Sequence, residues 1–170
     1  FVVVGLEIRT DRHASAEEFA EHLLRGMEPC RPVQDSVSFG ADEMLVPPRD
    51  MQKAHGRQLL FLRTAIDALG TLGVVDRTRL GVFAGVGSDP ESERGRLRWT
   101  LDAELAKLGR ESASTGVHRA RDALAPATDA ASFLGSLANI TANRINNQLD
   151  STGVGFVVAA EEISGVVSLE

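Results

Sequence analysis

Gly153-Val154-Gly155-Phe156-Val157-Val158-Ala159-Ala160-Glu161-Glu162-Ile163-Ser164-Gly165-Val166-Val167-Ser168-Leu169-Glu170 closes the chain, and its reading decides the fold. A glycine-broken turn enters an apolar, β-branched run of the kind that forms a buried strand. Two adjacent carboxylates then interrupt it, and small and apolar residues resume behind them. The pattern predicts a strand, a sharp elbow at Glu161 and Glu162, and the first turn of a buried helix. Such an elbow gathers unpaired N–H groups and partial positive charge, and strand–elbow–helix units are where many folds mount a nucleophile. This elbow offers carboxylates, with Ser164 nearby and no cysteine. An apolar strand before and an apolar helix after predict that at least one carboxylate is poorly solvated. Burial then raises its pKa while the helix N-terminus lowers it. The competing reading is plain helix N-terminal charge, worth roughly 0.3–1 kcal/mol and up to about 2 when partly buried.

Working outward, 170 residues suffice for one domain with a core. An apolar content of 43% and a charged content of 25% are ordinary for a globular protein. No apolar stretch approaches the ~18–20 residues of a membrane span. A net charge of −6 argues against nucleic acid or an anionic membrane as main partner. Cys30 is the single cysteine, so an internal disulfide is impossible and a reducing, cytoplasmic compartment fits. The start, Phe1-Val2-Val3-Val4-Gly5, lacks an initiator Met and a basic leader, and reads as a strand entered directly. The closing helix stops at Glu170 without a cap or a stop signal, which predicts a chain truncated at its C-terminal end.

Between the ends, strands alternate with helices, the pattern of an α/β protein. Residues 1–8 and 79–87 read as strands. Ser15-Ala16-Glu17-Glu18 has the form of a capping box ahead of an apolar face made of Phe19, Leu23, Leu24 and Met27. Helices are expected over 50–72, from about 91 to 110, and over 131–149. Arg63 and Asp67 stand four apart, in reach of each other across one turn. Residues 28–50 and 111–131 read as irregular surface segments. Asn139, Asn143 and Asn146 follow helical spacing and predict one shared polar face.

Several motifs have bland readings that outweigh their chemical ones. Gly85-Val86-Gly87-Ser88-Asp89-Pro90 follows a strand and precedes a helix, but the third glycine of a dinucleotide loop is missing. A strand end turning close to another backbone is the favoured reading. His13, His22, His55 and His118 are scattered without ligand spacing, and adjacent Glu161 and Glu162 diverge by about 100° on a helix. No metal is therefore expected. Arg94, Arg96 and Arg98 sit among Glu91, Glu93, Asp102 and Glu104, which describes a solvated mixed-charge face.

Taken together, the opening strand, Gln58-Leu59-Leu60 with its helix, Leu80-Gly81-Val82-Phe83-Ala84-Gly85-Val86-Gly87, and Asn139-Ile140-x-Ala142-Asn143-Arg144-Ile145 resemble the β-ketoacyl synthases in order along the chain. Phe156 to Ser164 falls where that family carries its nucleophile elbow, Asp-Thr-Ala-Cys-Ser-Ser in a condensing member. With Phe156 on the family's strand phenylalanine, Glu162 stands at the catalytic cysteine and Glu161 just before it. The resemblance implies the N-terminal half of a thiolase-like layered α/β/α/β/α fold, here a ketosynthase-like half-domain over residues 1–170. The Ala-Glu-Glu-x-Ser elbow looks most like the chain-length-factor type domains of polyunsaturated fatty acid and polyketide synthases. Asn139 and Asn143, in the motif ahead of the elbow, are candidate substrate-binding residues.

A carboxylate cannot usefully carry a growing acyl chain as the thiolate does. Cys30, in a Pro-rich loop, does not replace it, and the family's catalytic histidines belong to its C-terminal half. The resemblance therefore implies a condensation-incompetent domain that pairs with an active ketosynthase, as homo- or heterodimer, and shapes the acyl-chain pocket. Its partners would be acyl-carrier protein and the remaining C-terminal half. No cofactor is implied beyond acyl or malonyl groups on the carrier's phosphopantetheine. The alternative is a malonyl-thioester decarboxylase, like synthases whose nucleophile is Gln. A charged Glu162 repels a malonyl carboxylate and disfavours that reading.

Overall fold

The computed structural model describes residues 7–8, 15–26, 37–40, 42–72, 75–109, 115–125 and 127–169. Met27, Cys30, His13, most of the first predicted strand and Glu170 lie outside the described residues.

Among the described residues, two five-residue strands form the sheet. β1 (Val82–Val86) and β2 (Gly155–Ala159) run parallel, with Val82 opposite Gly155 and Val86 opposite Ala159. Parallel strands need a crossover, and the helices between them provide it. The expected strand at 79–87 is shorter than its apolar pattern, because Asp76 gathers Thr78 into a turn through its backbone N–H and hydroxyl. Close approach sets the strand entry as well. A Cβ on Gly153 would fall 2.1 Å from the carbonyl oxygen of Leu80, and one on Gly155 would fall 2.2 Å from the Asn146 amide nitrogen. At residue 153 the obstruction is backbone and only glycine fits, whereas at residue 155 it is the end of the Asn146 side chain.

The helices divide more finely than the sequence pattern suggests. α1 (Ala16–Leu24) is capped by Ser15, whose hydroxyl accepts from the Glu18 N–H at 3.2 Å. Its predicted apolar face is not buried among the described residues: Leu23 and Leu24 are exposed. In place of one helix over 50–72 there are two, α2 (Pro48–Gln52) and α3 (Gly56–Gly70). The break follows from the His55 N–H turning away to donate to the carbonyl of Gly135 at 3.1 Å. Arg63 and Asp67 do pair across one turn of α3, at 3.1 Å from Nε, and Arg63 also reaches Glu43. The hydrogen bond that Arg63 donates to Asp67 is the main influence raising the Arg63 pKa.

α4 (Pro90–Lys107) opens with Asp89 as N-cap and Pro90 at the first position, a pairing suited to a helix start. Residues expected as an unstructured excursion instead hold α5 (Thr115–Leu124). Arg98 accounts for its placement. The guanidinium is only 13% exposed, and Nη1 donates to the carbonyls of Arg121 and Ala125, each at 2.7 Å, at the end of α5. Helix ends leave such carbonyls without intrahelical partners. Of the three arginines read as a solvated face, Arg98 is the exception, while Arg96 pairs outward with Glu93.

The helix expected over 131–149 also divides, into α6 (Ala130–Ser136) and α7 (Ile140–Gln148). Asp129 and Ser132 cap α6 reciprocally. Asn139 is consequently the N-cap of α7 with helical backbone (φ −64°, ψ −21°), and it and Asn143, one turn on, are both exposed. The core forms where α3 meets α7: Leu62, Ile145 and Leu149 are buried, flanked by Phe61, Ile66, Leu69 and Val82. Gln58, only 2% exposed, ties α3 to the chain before α7 by donating to the Leu137 carbonyl at 2.8 Å. No helix among the described residues is long and apolar enough to cross a membrane.

Candidate functional site: the elbow after β2

β2 ends at Ala159, and Ala160 leads into a 3-10 turn, Glu161–Ile163, which passes directly into α8 (Ser164–Val167). The strand–elbow–helix expected from the sequence is therefore present. Its sharpness is visible at Glu161, whose φ of 50° places a non-glycine residue in the left-handed region. Such backbone costs on the order of 1–3 kcal/mol and persists only where its surroundings hold it.

Ser164 does the holding. It is 3% exposed. Its Oγ accepts from the Ala160 N–H at 2.8 Å and lies 2.7 Å from the Val86 carbonyl oxygen and 2.6 Å from that of Glu161. One hydroxyl proton is thus shared between two carbonyls, one on the elbow and one on β1. Ser164 is a structural staple with its hydroxyl fully engaged, and it is not presented to a substrate. Gly85 completes the fit. A Cβ there would lie 2.6 Å from the Ser164 carbonyl oxygen and 2.7 Å from the Gly165 nitrogen, so α8 rests on the backbone of β1. Gly85 is thereby explained as a strand end meeting another backbone, whereas a Cβ on Gly87 would make only an ordinary contact, 3.7 Å from the Glu161 carbonyl oxygen.

Both carboxylates of the elbow are exposed. That corrects the expectation of a poorly solvated glutamate, and α8 is likewise not the buried helix expected. Val166 is 65% exposed and only Ser164 is buried. The alternation of residue types does not reveal the left-handed φ at Glu161. Glu161 accepts a hydrogen bond from the Ser88 hydroxyl at 2.6 Å. Glu162, one residue on, makes no hydrogen bond or ion pair among the described residues.

Ser88 belongs to a loop, residues 87–89, that fixes the site from the other side. Arg57 donates to the Gly87 carbonyl at 3.0 Å and reaches Asp89 at 3.5 Å, and His55 Nδ1 lies 3.3 Å from the same carboxylate. Burial of Asp89 works against its charge. The Ser92 hydroxyl, the Glu91 N–H and Arg57 outweigh that and hold its pKa below the usual carboxylate value. These partners were not legible as a group, since Arg57, Ser88 and Glu161 are far apart in sequence and carry no shared motif.

The asparagine face is redistributed. Asn146 approaches the start of β2, within 3.5 Å of the Gly153 carbonyl, whereas Asn139 and Asn143 are exposed. Asn143 instead lines a cavity with Arg144 on α7. Among the described residues no three His, Cys, Asp or Glu side chains gather as a metal site.

Compared with protein-family models, residues 30–170 match the beta-ketoacyl synthase N-terminal domain. The chain belongs to the β-ketoacyl synthase family. A match over this much of the sequence accounts for the parallel strands, the crossover helices and the elbow together, and gives the ketosynthase-family chain its thiolase-like α/β fold. Membership of this family supports a setting in fatty acid or polyketide synthesis. Among curated proteins, no match was found.

Proposed function

We propose that this ketosynthase-family chain is a condensation-incompetent, chain-length-factor type domain, which pairs with an active ketosynthase and shapes the pocket holding the growing acyl chain. The observation that carries the reading is the exposed carboxylate of Glu162 at the elbow, next to the strained Glu161, at the position assigned to the family's nucleophilic cysteine. Acyl transfer in condensation runs through a thioester on a thiolate, and a glutamate offers no comparable carrier. The chain would then contribute surface and shape to a partner's reaction. Residues 1–170 would be the N-terminal part of a larger ketosynthase-like domain, and acyl-carrier protein would deliver the acyl or malonyl group. Dimerisation would run along the strand before the elbow, about residues 155–160, in a cytoplasmic synthase. Phe83 and Phe156, edge to face with centroids 4.7 Å apart and each about half exposed, offer apolar surface on those strands.

The decarboxylase reading loses support from the same exposure. It needs a Glu162 withdrawn from solvent, and Glu162 is exposed. Supplying malonyl-carrier protein to the full-length protein separates the two readings. The expected result is no acetyl-carrier protein above background. Robust decarboxylation that disappears in Glu162→Ala would overturn the partner role.

A further inference from the structure

Among the described residues, α4 packs chiefly on α5 and turns its other side outward. Helical spacing sets Gly95, Trp99, Ala103 and Ala106 along that outward side. Trp99 is 72% exposed, with Gly95 one turn before it and Ala103 one turn after. Tryptophan is among the residues most enriched where proteins meet. Gly95 stands inside the helix, where glycine is unfavourable, and a Cβ there would meet nothing within 4 Å. Packing against the described residues therefore does not call for a glycine at this point, whereas the close approach of another helix would.

The charges of this helix are ordered about Trp99. Arg96 precedes it by three residues and Asp102 follows by three, while Glu91 precedes by eight and Lys107 follows by eight. Each pair joins opposite signs at equal distances from the indole. We propose that the outward face of α4 docks on the same face of a second copy of this chain, antiparallel, with Trp99 at the two-fold axis. Arg96 then lies across from the partner's Asp102, Glu91 across from the partner's Lys107, and Gly95 across from the partner's Ala103. A two-fold interface demands this self-complementarity, in which residue i meets j and j meets i. A parallel pairing in register would set like charges together. The pairs these side chains make within the chain, Arg96 with Glu93, Lys107 with Glu104 and the half-exposed Asp102 with Arg121, are surface pairs of the kind that contribute little and can exchange. The face lies apart from residues 155–160, so it goes beyond the pairing with a ketosynthase and leaves that surface free. One crossing of two helices is a small contact next to the ~1,600 Å² of a standard interface, so the association is weak and depends on concentration.

Sedimentation velocity of the full-length protein over a concentration series, with no ketosynthase added, tests this. Concentration-dependent self-association is expected, weakened about tenfold or more by Trp99→Ala. Arg96→Asp and Asp102→Arg each set like charges across the axis, and each alone should lose self-association to a similar degree. An equimolar mixture of those two variants sets opposite charges across the axis again and should recover it. Circular dichroism checks folding. Should Asp102→Arg fail to fold, Trp99→Ala and Arg96→Asp, both at exposed positions, decide. Sedimentation that does not change with concentration, association unaltered in Trp99→Ala or Arg96→Asp, or a mixture of folded variants that stays apart would each overturn the pairing and leave the face to a different protein.

Discussion

The Ser164 hydroxyl lies 2.7 Å from the carbonyl oxygen of Val86, and through that contact the turn after β2 is fastened to β1. Removing it strands the Ala160 N–H and shifts the burden to a left-handed glutamate. Ser164→Ala should therefore destabilise the fold by about 1–3 kcal/mol, the cost of leaving buried polar groups unpaired. Gly85→Ala should do the same through sterics, by roughly 1–3 kcal/mol, because the obstructing atoms are backbone and cannot swing aside. Urea unfolding of both variants measures this. Wild-type midpoints would show that the elbow is not held in this way.

The φ of 50° at Glu161 makes a separate prediction. Glu161→Gly gives up an exposed hydrogen bond to Ser88 and relieves the backbone, so stability should hold or rise by up to about 1 kcal/mol. Glu161→Val keeps the strain, adds β-branching at positive φ, and should lose roughly 1–2 kcal/mol. Equal losses in the two variants would count against a strained elbow.

Helix α6 supplies a pH signature. The Ser132 N–H, then the Ser132 hydroxyl, hold the Asp129 carboxylate at a pKa of about 2, well below its ordinary value. Because the folded pKa is the lower one, the cap's contribution is present in full above about pH 4, the unfolded value. It is lost as the pH falls from there through about 2. An NMR titration of the Asp129 side chain should give a midpoint near 2, moving up toward the unfolded value in Ser132→Ala.

Glu162→Cys tests the position assigned to the nucleophile. If residue 162 occupies the cysteine position, the variant in the full-length protein should become labelled by an acyl thioester or by a thiol-directed condensation inhibitor, where wild type is not. The neighbouring Ile163→Cys provides the control. Labelling confined to Ile163→Cys would move the site by one residue.

How much of this was legible depends on the range of the interaction concerned. The strand–elbow–helix could be read because glycines, an apolar run and adjacent carboxylates are all local. So could the Arg63–Asp67 pair, one turn apart. The division into α6 and α7 could not, since apolar spacing continues through Leu137 while the backbone breaks there. Helix α5 was missed because its apolar stripe is short, Val117, Ala120 and Leu124 within a polar, Ala- and Ser-rich stretch, and a side chain from α4 satisfies its last carbonyls. Within the site, Glu161 and Glu162 stood out by type, but the left-handed φ at Glu161 did not. Ser164 was noticed as a neighbour, whereas its work as a staple requires knowing that Val86 lies beside it.

The parallel pairing of β1 with β2 also dictates when the elbow can come into being. Ser88 and Glu161 are 73 positions apart, and Ser164 meets Val86 across 78. Pairings this distant must bear loop-closure entropy before any contact rewards it, which makes them slow to form. During synthesis at about 5–20 residues per second, β1 waits several seconds for its partner strand to be made. Until then its apolar edge stays open to wrong pairings. The geometry of the site thus cannot form until β2 has been made and has found β1.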